Sequence, residues 1–156
     1  MNLIVAIVEL LALTCLTQST TLLSTTPLVA AARGQHTEIV RALLDRGAKP
    51  NKGTCTGLPL SRLPQTNGIG VTPLLIAAKR GSEAIVKLLL ERGANPNLAD
   101  FRGYTPIHTA ASKSHEYIIR LLIQAGADPS PGRKFCGTTP LHMALNNNDQ
   151  SEFGIG

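Results

Sequence analysis

Four histidines, three cysteines and ten acidic side chains are the foremost candidates for acid, base, nucleophile or metal ligand. Their spacing argues against each role. Cys15, Cys55 and Cys136 lie 40 and 81 residues apart with no Cys-x-x-Cys pair, so a zinc site would need ligands from remote loops. Three cysteines also fall short of a disulfide framework. Cys15 stands near an apolar run and reads as a small buried residue. His108 and His142 share one frame, Thr-Pro-x-His, and a repeated frame points to a repeated structural role. Glu83, Glu91 and Glu116 fall at helix-surface positions as solvated charge, with Glu83 set to pair with Lys87 at i, i+4 for a few tenths of a kcal/mol. The phosphate-loop and nucleophile-elbow motifs are missing, and Gly68-Ile69-Gly70 is too short to cradle a phosphate. The expectation is no enzyme, no cofactor and no metal.

The elements that carry these residues repeat. Thr26-Pro27-Leu28, Thr72-Pro73-Leu74, Thr105-Pro106-Ile107 and Thr139-Pro140-Leu141 place their prolines 46, 33 and 34 residues apart. Apolar runs follow at Ile39–Leu44, Ile85–Leu90 and Ile118–Ile123. Each run leads to a Gly-Ala pair (Gly47-Ala48, Gly93-Ala94, Gly126-Ala127), with Pro50, Pro96 or Pro129 two residues on. In the middle copy Thr72 is an N-cap and Pro73 suits the first helical position, where its missing N–H costs nothing. Leu74, Ala77 and Ala78 form an apolar stripe whose small alanines let a neighbouring helix approach. Gly81-Ser82 breaks this helix, Ile85, Leu88 and Leu89 carry a second stripe, and Gly93 suits the left-handed closing position. Such a pair cannot bury both stripes alone and must stack on copies of itself.

These motifs resemble the ankyrin repeat. Gly103-Tyr104-Thr105-Pro106-Ile107-His108-Thr109-Ala110-Ala111 follows the family pattern almost throughout, as does Ile85 to Asn97. The resemblance covers roughly residues 24–145. It implies an all-α solenoid of stacked helix-turn-helix pairs with β-hairpin-like fingers on one side. It also implies a concave surface, formed by fingers and first helices, that binds other proteins. In that frame His108 and His142 bond neighbouring loops, and His36 and His115 sit at inter-helix turns. Departures are Val29 and Leu75 for His, Ser114 for the inter-helix Gly, Ser130 for the terminal Asn and Leu145 for the second Ala. They suggest irregular stacking rather than another fold.

The chain divides into a degenerate capping half-repeat (1–24), repeat 1 (25–51), an insertion (52–70), repeat 2 (71–103), repeat 3 (104–137) and a truncated repeat 4 (138–156). Ile7-Val8-Glu9-Leu10-Leu11 matches the register of Ile85–Leu89, so residues 3–13 read as the second helix of a preceding repeat. A signal or membrane segment is the alternative, although no basic residue precedes the apolar run and Glu9 interrupts it. The insertion holds four Gly and two Pro and reads as a finger-side loop, either a partner contact or a tolerated extension. Repeat 4 lacks a second apolar helix, which leaves an uncovered face for self-association or a partner.

A chain of 156 residues with 43% hydrophobic and 16% charged side chains is not a long disordered segment. With 3% aromatics and no Trp, its core is built from Leu, Ile, Val and Ala. The net charge of +5 is scattered in runs of at most two bases, and stacking platforms are few, so a nucleic-acid partner is not expected. A membrane partner is not expected either. Without an Asn-x-Ser/Thr sequon the compartment reads as cytoplasmic or nuclear, with secretion or tethering the alternative if residues 1–16 act as a signal. The expected binding residues are Asp100, Phe101, Arg102 and Tyr104 on one finger, Arg133, Lys134 and Phe135 on the next, and Lys79, Arg80 and Lys113 closing the first helices. Aromatic side chains beside Arg are the composition of interface hot spots. The expectation is a monomeric adaptor gripping an acidic or extended partner segment. The alternatives are that Phe101 covers its hairpin and the lysines solubilise, or that the chain is the recognition arm of a larger assembly such as a ubiquitin ligase or signalling enzyme.

Overall fold

The structure, a computed structural model, describes residues 23–56, 70–129, 137–142 and 144–145. The expected capping helix at 3–13, the tip of the insertion and Arg133, Lys134 and Phe135 lie outside the described residues. The elements run β1 (Leu23–Ser24), α1 (Pro27–Arg33), α2 (Thr37–Asp45), β2 (Cys55–Thr56), α3 (Pro73–Arg80), α4 (Glu83–Glu91), α5 (Pro106–Ala111) and α6 (Glu116–Gln124). A further helical turn begins at Pro140.

Each first helix starts where the sequence dictates. The Thr26 hydroxyl accepts from the Val29 N–H and the Thr72 hydroxyl from the Leu75 N–H, both at 3.2 Å, and proline follows as the first helical residue. Each first helix also ends in the same way. One residue turns left-handed: Gln35 (φ 58°), Gly81 (φ 75°) or Ser114 (φ 56°). The next residue, His36, Ser82 or His115, takes φ near −83° and ψ of 74–82°, and the N–H beyond it bonds back to the left-handed residue's carbonyl. That is an inverse γ-turn, and it folds the second helix back on the first. Only the middle copy uses glycine at the left-handed position. In repeat 1, Gly34 stands one residue early and is right-handed, so Gln35 takes the strained conformation instead.

The second helices close in a paired bond pattern. Ala94 N–H bonds the Leu89 carbonyl and Gly93 N–H the Leu90 carbonyl, and the same two bonds recur at Gly47-Ala48 and Gly126-Ala127. Ala94 and Ala127 are buried behind these turns.

The pairs stack as the apolar stripes require. Inner helices α1, α3 and α5 pack in a row, and outer helices α2, α4 and α6 pack behind them. Ala31-Ala32, Ala77-Ala78 and Ala110-Ala111 are all buried between the inner helices. Leu74, Ile85, Leu89, Ile118 and Leu122 fill the space between the rows. Val29 and Leu75, where the family has His, are buried apolar residues, so the departure exchanges a polar bond for packing. The last described outer helix is less covered: Ile119 and Leu121 are half-buried, while Val86 and Leu88 at the equivalent places in α4 are buried. Ile123, Leu141 and Leu145 are exposed at the same end.

One expectation needs amending. Glu83 and Lys87 form no ion pair. The i, i+4 pair occurs one repeat later, where Arg120 meets Glu116 at 2.6 Å with both side chains in water. Besides the bonds within single fingers, a short strand ladder joins neighbouring fingers. Leu23 faces Thr56 and Ser24 faces Cys55 in an antiparallel ladder that spans the whole first repeat.

Candidate protein-binding surface

The finger after repeat 2 is organised by Asp100. Its carboxylate Oδ1 accepts from the N–H groups of Arg102 and Tyr104, both at 2.9 Å. The Asp100 N–H bonds the Tyr104 carbonyl and the Gly103 N–H bonds the Asp100 carbonyl, each at 2.9 Å. The carboxylate is thus committed to the turn, and Asp100 presents its neighbours rather than itself. Arg102 is exposed, and its guanidinium lies 5.1 Å from the centroid of the half-buried Phe101 ring. Tyr104 is half-buried, its ring edge-on to that of the buried His108 with centroids 6.1 Å apart. Phe101 and Arg102 therefore form the outward tip, and Tyr104 belongs to the support beneath it.

That support runs through His108, which is fully buried. Its Nε2 lies 3.2 Å from the Thr138 carbonyl, which can only accept, so Nε2 carries the proton. Nδ1 then accepts from the Thr105 N–H at 3.3 Å, with the Thr105 hydroxyl 2.9 Å away. One imidazole ties the start of α5 to the next finger, as its sequence frame implies. His142 repeats the contact with Thr139 at 2.8 Å in an exposed setting.

A second tie was not legible as a role in the sequence. The Asn51 amide donates to the Gly93 carbonyl at 3.3 Å and its Oδ1 accepts from the Asn95 N–H at 2.7 Å. Asn97 does the same to repeat 3, bonding the Gly126 carbonyl at 3.0 Å and the Asp128 N–H at 2.8 Å. The signal was the asparagine two residues after the first and second Gly-Ala-x motifs, where the third has Ser130, but its partners lie in the next repeat.

The base of the insertion is pinned. Thr54 N–H bonds the Val71 carbonyl and Val71 N–H bonds the Thr54 hydroxyl, both at 3.1 Å. A side chain at Gly70 would lie 1.9 Å from the Thr54 carbonyl oxygen, so only glycine lets the two sides of this base close.

Lys79, Arg80 and Lys113 are exposed and line an open groove of about 370 Å³ on the inner-helix row, together with Arg33, Val71 and Ile76. Phe101, Arg102 and Tyr104 are not among the residues lining it, so the expected binding residues divide between a finger tip and this groove. Arg33 escaped sequence analysis, although it stands six residues after Pro27 as Lys79 stands six after Pro73. Among the described residues none of the four groove bases makes an ion pair; Arg92 with Asp45 (2.7 Å) and Arg120 with Glu116 do. No group of three or more His, Cys, Asp or Glu that could hold a metal occurs among the described residues. No described helix is long and apolar enough to cross a membrane.

Comparison with the curated proteins gives no match. A family model described as ankyrin repeats (three copies) matches residues 3–100 and 59–133, which takes in the three helix pairs, the Asn51 and Asn97 ties and the sequence expected to cap the first repeat. The chain belongs to the ankyrin-repeat family.

Proposed function

We propose that the protein is a non-catalytic adaptor that binds a partner protein through its finger side and inner-helix row. Ankyrin repeats are generally protein–protein interaction modules, and the reading rests on that together with one observation. Exposed Arg102 and half-buried Phe101 form a tip held on a turn that Asp100 fixes with two hydrogen bonds. A tip ordered in advance loses little conformational entropy on binding, and aromatic-plus-Arg pairs are frequent binding hot spots. The test is capture from cell extract by the immobilised protein, read by mass spectrometry. Replacing Phe101 and Arg102 together by Ala should remove specific partners while helical circular dichroism stays unchanged. Unaltered capture would sink the assignment of the tip.

A further inference from the structure

The groove residues carry an inference about what kind of partner segment fits. It rests on the interaction-module reading and adds the chemistry of the ligand. Arg33 ends α1, Lys79 and Arg80 end α3, and Lys113 follows α5, so each of three consecutive repeats contributes basic charge to one groove. The floor between them is apolar, from half-buried Val71 and buried Ile76. Cations near helix C-termini are individually favourable against the helix dipole, which accounts for each base alone. It does not account for four of them converging on one groove that no acidic side chain lines. Their mutual repulsion is a cost in the free protein that an anionic ligand removes.

Geometry then sets the spacing of that ligand's charges. Packed helices stand about 8–10 Å apart, so the three basic tiers rise by that step. A peptide in the extended polyproline II form advances about 3.1 Å per residue with three residues per turn, so every third side chain lies on one edge and one tier further along. We infer that the groove binds an extended acidic protein segment with carboxylates at every third residue, running across the inner helices from Arg33 to Lys113. Small apolar side chains between the carboxylates meet Val71 and Ile76.

The test uses the full chain and two fluorescein-labelled nine-residue peptides of one composition. One is Asp-Val-Thr repeated three times; the other groups the three Asp at one end. Fluorescence anisotropy at low and at physiological salt should show the periodic peptide binding about fivefold tighter, with the difference shrinking as salt rises. Replacing Arg33, Lys79, Arg80 and Lys113 by Ala should weaken the periodic peptide at least about tenfold, because each tier loses its charge partner. Changing Lys79 and Arg80 to Glu should shift preference to a Lys-Val-Thr peptide, a gain that misfolding cannot produce. Equal binding of the two acidic peptides, or binding untouched by the alanine substitutions, overturns the inference. So does a nine-nucleotide oligothymidylate that binds as tightly as the periodic peptide. A chain that captures partner proteins through Phe101 and Arg102 but ignores both peptides overturns the acidic-segment inference alone.

Discussion

Asn51 in the first repeat grips Asn95 in the second, its Oδ1 accepting from the Asn95 N–H at 2.7 Å while its amide reaches the Gly93 carbonyl. Asn97 repeats the grip on Asp128 and Gly126. In a solenoid the interfaces between neighbours carry much of the stability, so these side chains act where cooperativity is decided.

Asn97→Ala should therefore lower stability by about 1–2 kcal/mol, the worth of two hydrogen bonds in a solvent-accessible setting. Urea unfolding followed by circular dichroism gives the loss. Amide exchange should show repeat 3 opening ahead of repeat 2. Uniform exchange in both repeats would mean that the tie does not couple them.

His108→Ala should cost more, about 2–4 kcal/mol, because it empties a buried position and strands the Thr105 N–H and the Thr138 carbonyl. The exposed His142→Ala should cost less than half as much, since water replaces its lost bond. Denaturation midpoints of the two variants provide the comparison.

Ser114 holds a left-handed conformation that the equivalent Gly81 adopts without strain. Ser114→Gly should stabilise the chain by about 0.5–1 kcal/mol, the steric relief exceeding the added freedom of the unfolded chain. Gly81→Ala should destabilise it, because φ stays positive and the new carbon would lie 2.7 Å from the His115 ring. Thermal unfolding should move in opposite directions for the two variants.

Asp100→Ala removes the carboxylate that holds the finger turn while leaving the Phe101 and Arg102 side chains in place. The expected result is weaker partner capture with a stability change of only about 1–2 kcal/mol. Capture equal to that of the unaltered protein would show that the tip binds without being held in advance.

Much of this architecture was readable locally. Thr-Pro marks each first-helix start because cap and pyrrolidine ring act within one turn. Gly-Ala marks each second-helix end because the closing bonds span only a few residues. The His108 contact with Thr105 spans three residues and is written in the Thr-Pro-x-His frame. Even the division of each pair into an alanine-rich inner helix and a leucine-rich outer one follows from side-chain size.

The remainder depends on which segments meet after stacking. The β1–β2 ladder joins residues on either side of the whole first repeat, and no local propensity specifies that partner. Asn51 is a letter of the pattern in the sequence and becomes a tie only because its acceptor and donor arrive from 42 and 44 residues away. The basic residues look scattered along the chain, with Arg33 set further back by the insertion. Stacking cancels that separation, since each repeat places its inner helix in the same row whatever the length of the loop before it. Charge clustering is a property of distances in space, and only the packed helices bring Arg33, Lys79, Arg80 and Lys113 to one groove.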